Sequence, residues 1–99
     1  MSIQIQAIQF TAGQQLVEFI ERKIGKLNTY YDKIIDSEVF LSLDSKGSPI
    51  KDKVVKVKIN VPQSQFVAHA TAKTFEEAVD EVADNLKRQL TRHKDRQHP

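Results

Sequence analysis

The last quarter of the chain, Thr74 to Gln97, reads as one long helix whose charge reverses halfway along. Phe75, Val79, Val82, Leu86 and Leu90 recur at the spacing that lines one face of a helix. Such a stripe has to be buried, so the rest of the chain must supply an apolar surface for it. Thr74 offers an N-cap oxygen, and Glu77 three residues later completes a capping-box pattern. The first half, TFEEAVDEVADNL, carries Glu76, Glu77, Asp80, Glu81 and Asp84 and no cation. The second half, KRQLTRHKDRQHP, carries Lys87, Arg88, Arg92, Lys94 and Arg96 against the single acid Asp95. Past Leu90 the stripe stops, so the final turns are expected to have no core to pack on. A helix of about 23 residues is roughly 35 Å long, and its basic end should reach the edge of a small sheet. At about 100° per residue, Arg88, Arg92 and Arg96 form one row on the outer face. Lys87 and Lys94 fall on the flank to the other side of the apolar stripe. Cations at a helix C-terminus also complement the macrodipole, but that effect is confined to the last turn. These cations extend over about three turns, which favours a polyanion site.

The remaining 74 or so residues have to cover that stripe. With 99 residues, 39% of them apolar, the chain supplies one modest core, and a single domain spanning residues 1–99 with a basic helix tail at 87–99 is expected. There is no cysteine, so disulfides and thiolate metal sites are excluded. The opening MSIQIQAIQF has no charged n-region before an apolar run, and nothing approaches a membrane span in length. A cytoplasmic protein is expected. The formal charge of +2 is mild, and only its distribution is informative.

Ile3, Ile5 and Ala7 alternate with Gln4 and Gln6, the period-two pattern of a half-buried strand. Ile8 and Phe10 shift the phase, which marks a bulge or the strand's end. Thr11, with Gln14 three residues on, is the expected cap of an amphipathic helix carrying Leu16, Val17, Ile20, Ile24 and Leu27. Its charges are sorted, Glu18 and Glu21 on one flank and Arg22, Lys23 and Lys26 on the other. Tyr30 and Tyr31 follow in the exit, either as core caps or with a ring exposed for stacking. Ile35 to Leu43 reads as a second strand with Val39, Leu41 and Leu43 inward, and the DSKGSP cluster around Gly47 and Pro49 as a turn. Lys53 to Val61 alternates cleanly, with Val55, Val57, Ile59 and Val61 inward and Lys56, Lys58 and Asn60 outward. Pro62 to Gln65 reads as a hairpin turn, and Phe66 to Ala72 as a fourth strand.

The order β-α-β-β-β-α then predicts an α/β two-layer sandwich: a four-stranded mixed sheet with two parallel helices on one face. A right-handed crossover between parallel strands one and two sets helix one antiparallel to them. Strands three and four run down and up, so helix two also runs down. Both C-termini point to the same edge, which gathers Arg22, Lys23 and Lys26 with Lys87, Arg88, Arg92, Lys94 and Arg96. This is the electrostatic footprint expected for phosphate binding.

Residues 83–95, ADNLKRQLTRHKD, resemble the closing helix of the ribosome hibernation-promoting factors, the ribosome-associated translation inhibitors, particularly their short form. The run Glu18-Phe19-Ile20-Glu21-Arg22-Lys23-Ile24, with Lys26, Leu27 and Tyr30 after it, is similar to that family's first helix and exit. The run from Leu86 to Lys94 is the more specific of the two, and the resemblance covers nearly the whole chain. It implies binding in the small-subunit channel where messenger RNA and tRNAs would lie, inhibiting translation in idle 70S ribosomes under stress and promoting their hibernation. It also implies that Arg22, Lys23, Lys26, Lys87, Arg88, Arg92 and Lys94 contact ribosomal RNA phosphates, with Arg96 extending the same row and Tyr30 poised beside it. The chain departs from the family where members often enter the last helix with an acid and a tyrosine, for here stand Lys73 and Phe75. The extra C-terminal dimerisation domain of long-form members is not expected here, so the chain would not bridge two ribosomes by that domain. Any dimer would need another factor or contact between the subunits, and a monomer is expected when the chain is free.

No catalysis, cofactor, metal or small-molecule substrate is needed for such an action, and none is expected. His69, His93 and His98 have no nucleophile or ligand set nearby in sequence, and Asp80 and Asp84 read more simply as a solvated helix half than as acid/base or metal carboxylates. Two other readings stand beside this one. One is a generic double-stranded-RNA module; the other is a non-RNA adaptor using Phe40, Lys56 and Lys58 on the open sheet face.

Overall fold

The computed structural model describes residues 1–44 and 52–97. Strand β1 (Ser2–Ala7), helix α1 (Gln14–Gly25), a 3-10 turn (Lys26–Thr29), β2 (Asp36–Asp44), β3 (Asp52–Val61), β4 (Ser64–Ala72) and helix α2 (Phe75–Gln97) follow in order. The strands lie side by side as β1-β2-β3-β4, with β1 parallel to β2 and the other pairs antiparallel. This is the expected two-layer sandwich. The turn expected around Gly47 and Pro49, and His98, fall outside the described residues.

The inner sheet face is built by alternation. Val55, Val57, Ile59 and Val61 of β3 are all buried, as are Val39 and Leu41 of β2. Ser37 shares their face, and its buried hydroxyl has no hydrogen-bond partner among the described residues. Leu43 has the same parity but is 38% exposed. The reason is that β1 ends opposite Leu41, leaving Leu43 without that neighbour. The strand break after Ala7 is made by Gln9, whose φ of 67° turns the chain back so that Phe10 stacks on Phe75 at 5.3 Å. Helix α1 is capped by Gly13, not Thr11, and without a side-chain bond. In the β3-β4 hairpin only Pro62 and Gln63 are unpaired, since Val61 lies opposite Ser64. Proline at the second turn position and a φ of 65° at Gln63 match a type II turn, which lets β4 start two residues earlier than its apolar residues suggest.

Against this face α2 buries Ala78, Val79, Val82, Leu86 and Leu90, and α1 buries Ile20 and Ile24. Thr74 caps α2 as expected, its hydroxyl accepting from the Glu77 N–H at 3.1 Å. Phe10 ahead of α1, Lys23 within it and Tyr30 just after its exit turn meet Phe75, Asp80 and Lys87 of α2 in turn. Residue numbers rise together through these contacts, so the helices run parallel, with α1 ending beside the middle of α2. About ten further residues, some 15 Å of helix, carry α2 past that point and help to stretch the molecule to 50 Å in its longest dimension.

Candidate nucleic-acid interface

The predicted cations occupy two sides of α2. On the α1 side, Lys23, Lys26, Leu27 and Tyr30 face Asp80, Ala83, Asp84 and Lys87 across a depression of about 170 Å³. The Lys87 ammonium lies 4.7 Å from the centre of the Tyr30 ring. At that distance it is held by the negative ring face, and the half-buried tyrosine is fixed in the groove wall. Arg22 and Lys23 lie 5.4 and 5.6 Å from the Phe19 ring, which is itself partly buried against the core. Lys94 is seven residues on from Lys87, hence on the same flank, and it is exposed.

On the other side, toward edge strand β4, Arg92 and Arg96 border a depression of about 180 Å³ with Phe66, Gln89 and His93. Gln89 anchors that flank by donating to the Val67 carbonyl at 3.2 Å. The arginines therefore do not keep to one outer row. Each step of four residues turns about 40° beyond a full circle, so Arg88 points outward while Arg92 and Arg96 drift to the β4 flank. The basic surface wraps the end of α2 on several sides.

The last turns also have a core contact that the apolar pattern does not reveal. His93, three residues beyond Leu90, inserts between Tyr31 and Phe66, with ring centres at 5.3 and 5.1 Å in edge-to-face geometry. Tyr31 is buried, and the His93 Nε2 atom is shielded and has no partner among the described residues. A histidine breaks the apolar stripe only by residue type. Its i+3 spacing from Leu90 is the signal that could have found it.

The cations differ in how free they are. Lys23 pairs with Asp80 at 3.2 Å, and Arg88 with Asp84 one turn back at 2.6 Å. Arg22, Lys26, Lys87, Arg92, Lys94 and Arg96 form no ion pair among the described residues. Exposed pairs are worth about 0–1 kcal/mol, so both bound cations can be taken over by a stronger anion. His69 lies exposed on the open sheet face opposite Lys56, which itself lies opposite Phe40. Lys58 covers the Phe40 ring at 5.6 Å, so that face presents one capped aromatic.

Residues 3–98 match the family described as "Sigma 54 modulation protein / S30EA ribosomal protein". The chain is 29% identical over 97 residues to the ribosome hibernation promoting factor of Azotobacter vinelandii, covering 98% of this chain and 86% of that protein. It is 31% identical over 96 residues to the one of Salmonella typhimurium, covering 97% and 96%. The Bacillus subtilis ribosome hibernation promotion factor is 28% identical over 96 residues, of which the match spans 49% of its length. Among solved structures, a ribosomal subunit interface protein from Coxiella burnetii superimposes with a TM-score of 0.84 at 22% identity, covering 95% of this chain and 98% of that one. The Thermus thermophilus Protein Y N-terminal domain does so at 0.77 and 20% identity, covering 93% and 94%. No described helix is long and apolar enough to cross a membrane. From a match over nearly its whole length, the chain belongs to the Sigma 54 modulation protein / S30EA ribosomal protein family, that of the ribosome hibernation factors.

Proposed function

We propose that this chain is a translation inhibitor that occupies the messenger RNA and tRNA channel of the small subunit in idle 70S ribosomes of the cytoplasm. Residues 1–99 act as one ribosome-binding domain, and 87–99 as its basic tail. Arg22, Lys26, Lys87, Arg92, Lys94 and Arg96 contact ribosomal RNA phosphates directly, Lys23 and Arg88 approach the RNA while still paired with Asp80 and Asp84, and Tyr30 lies against a neighbouring sugar or base. Arginine suits bidentate phosphate contact, and lysine supplies a point charge. Structured RNA is read largely through its shape and backbone, and two helices locked on one sheet form a rigid face for that.

The observation that carries this reading is the cationic end of α2, held stiff by the His93 ring contacts and flanked by the cations of α1. Inhibition needs no chemistry. Two polyanion ligands cannot share one channel, so the protein acts by occupancy as a free monomer without cofactor, metal or small-molecule substrate. The test is competition on purified small subunits. Messenger RNA with a P-site tRNA should displace the labelled protein in proportion to their concentration. Full retention of the protein on subunits already filled with both would overturn channel occupancy.

A further inference from the structure

Two acids stand among these cations, and they do more than balance charge in the free protein. We infer that Asp80 and Asp84 set the selectivity of the basic surface, acting as built-in phosphate mimics that weaken its hold on RNA in general. This rests on the ribosome-binding reading above and assigns to it the residues that discriminate between RNA targets.

The geometry supports it. Both carboxylates line the groove between the helices, together with Lys23, Lys26 and Lys87. Each already holds one cation, Asp80 the Lys23 ammonium at 3.2 Å and Asp84 the Arg88 guanidinium at 2.6 Å. The members of these pairs are 40–62% exposed, so their bonds are made in water and are easily exchanged. A phosphate entering the groove can take either cation, but the displaced carboxylate stays within a few ångströms and repels it. Arg92, Lys94 and Arg96 form no ion pair among the described residues, although Asp95 lies beside them on the same helix, so they need not be displaced from a carboxylate. A flexible or featureless RNA that leans on any available cation therefore meets an energetic penalty at the centre of the patch. A rigid RNA surface that places phosphates on Lys26, Lys87, Arg92, Lys94 and Arg96, and turns its ribose hydroxyls or base amino groups toward the aspartates, meets none.

The experiment compares wild type with Asp80→Asn/Asp84→Asn, measuring binding to a plain RNA duplex and to purified small subunits over a range of salt. Asparagine keeps the shape and removes the charge. Affinity for the duplex should rise about 3- to 10-fold. The slope of log K against log salt should steepen by about 1.5, because two cations become free to displace counterions. Small-subunit affinity should change less, so the ratio between the two targets falls. The double variant Glu18→Gln/Glu21→Gln changes net charge equally on the far flank of α1 and should leave duplex affinity near wild type. An unchanged or weakened duplex affinity for Asp80→Asn/Asp84→Asn would overturn the proposal, as would an equal gain in the Glu18/Glu21 control. Asp84→Asn alone, expected to give about half the change in slope, repeats the test if the double variant folds poorly. Wild-type protein that fails to bind small subunits would instead defeat the ribosome-binding reading itself.

Discussion

His93 decides whether the end of α2 is a rigid arm or a frayed one. Its ring is held between Tyr31 and Phe66, and without it the turns bearing Arg92, Lys94 and Arg96 would rest on Leu90 alone. His93→Ala should cost about 1–3 kcal/mol of stability, and amide exchange should quicken first in the last two turns of α2. Equal protection in variant and wild type would show that the ring box does not anchor the helix. The arginines are a separate matter. Arg92→Glu with Arg96→Glu removes no buried contact, so the melting temperature should move by only about 2 °C or less, while binding to small subunits is lost. A large drop in melting temperature would mean that their role is structural. Gly25 illustrates a milder lesson. Its backbone is ordinary right-handed helix, and an added Cβ would lie 3.9 Å from the Ile3 side chain, a normal contact. Gly25→Ala should therefore be neutral or stabilise by up to about 1 kcal/mol. Thermal denaturation checks it, and a marked loss would show that the site is tighter than its geometry.

At the scale of elements, α2 owes its start to Thr74 and its place to Leu86 and Leu90. Thr74→Ala should cost about 1 kcal/mol, or roughly 4–8 °C in melting temperature for a chain of this size. Most of this architecture can be read from the sequence, because period-two and helical spacing are strong local signals and β3 and α2 carry them without interruption. What stays hidden depends on neighbours. Leu43 has the parity of a core residue and is exposed because β1 stops short of it. Thr11 has the chemistry of a cap, yet the positive φ at Gln9 and the Phe10–Phe75 stack place the helix start two residues later, on Gly13. His93 is half-buried, held by rings more than 20 residues away in sequence. The candidate site was legible to a similar depth. Its residue types and its two contributing helices follow from charge sorting and topology. The stagger between the helices, and the tethering of Lys23 to Asp80, depend on tertiary register that no local pattern encodes. The Asp84–Arg88 pair, four residues apart on one helix, was readable in principle.

For the whole molecule the division of labour is plain. One face of the sheet carries the core and both helices, and α2 extends beyond the point where α1 ends to present charge on several sides. The open face carries Phe40, Lys56, Lys58 and His69 and lies opposite the helices. If binding runs through the helices, Lys56→Glu with Phe40→Ala should leave small-subunit affinity within about threefold, an energy typical of peripheral contacts. Loss of binding there would move the interface to the sheet. Phosphate contact by the helix cations is the central claim, and the salt dependence of small-subunit binding tests it most directly. With six of the interface cations unpaired among the described residues, a plot of log K against log salt should fall with a slope of about −4 to −5, and Arg92→Glu/Arg96→Glu should abolish measurable binding. A slope near zero, or a variant that binds as wild type does, would contradict the account.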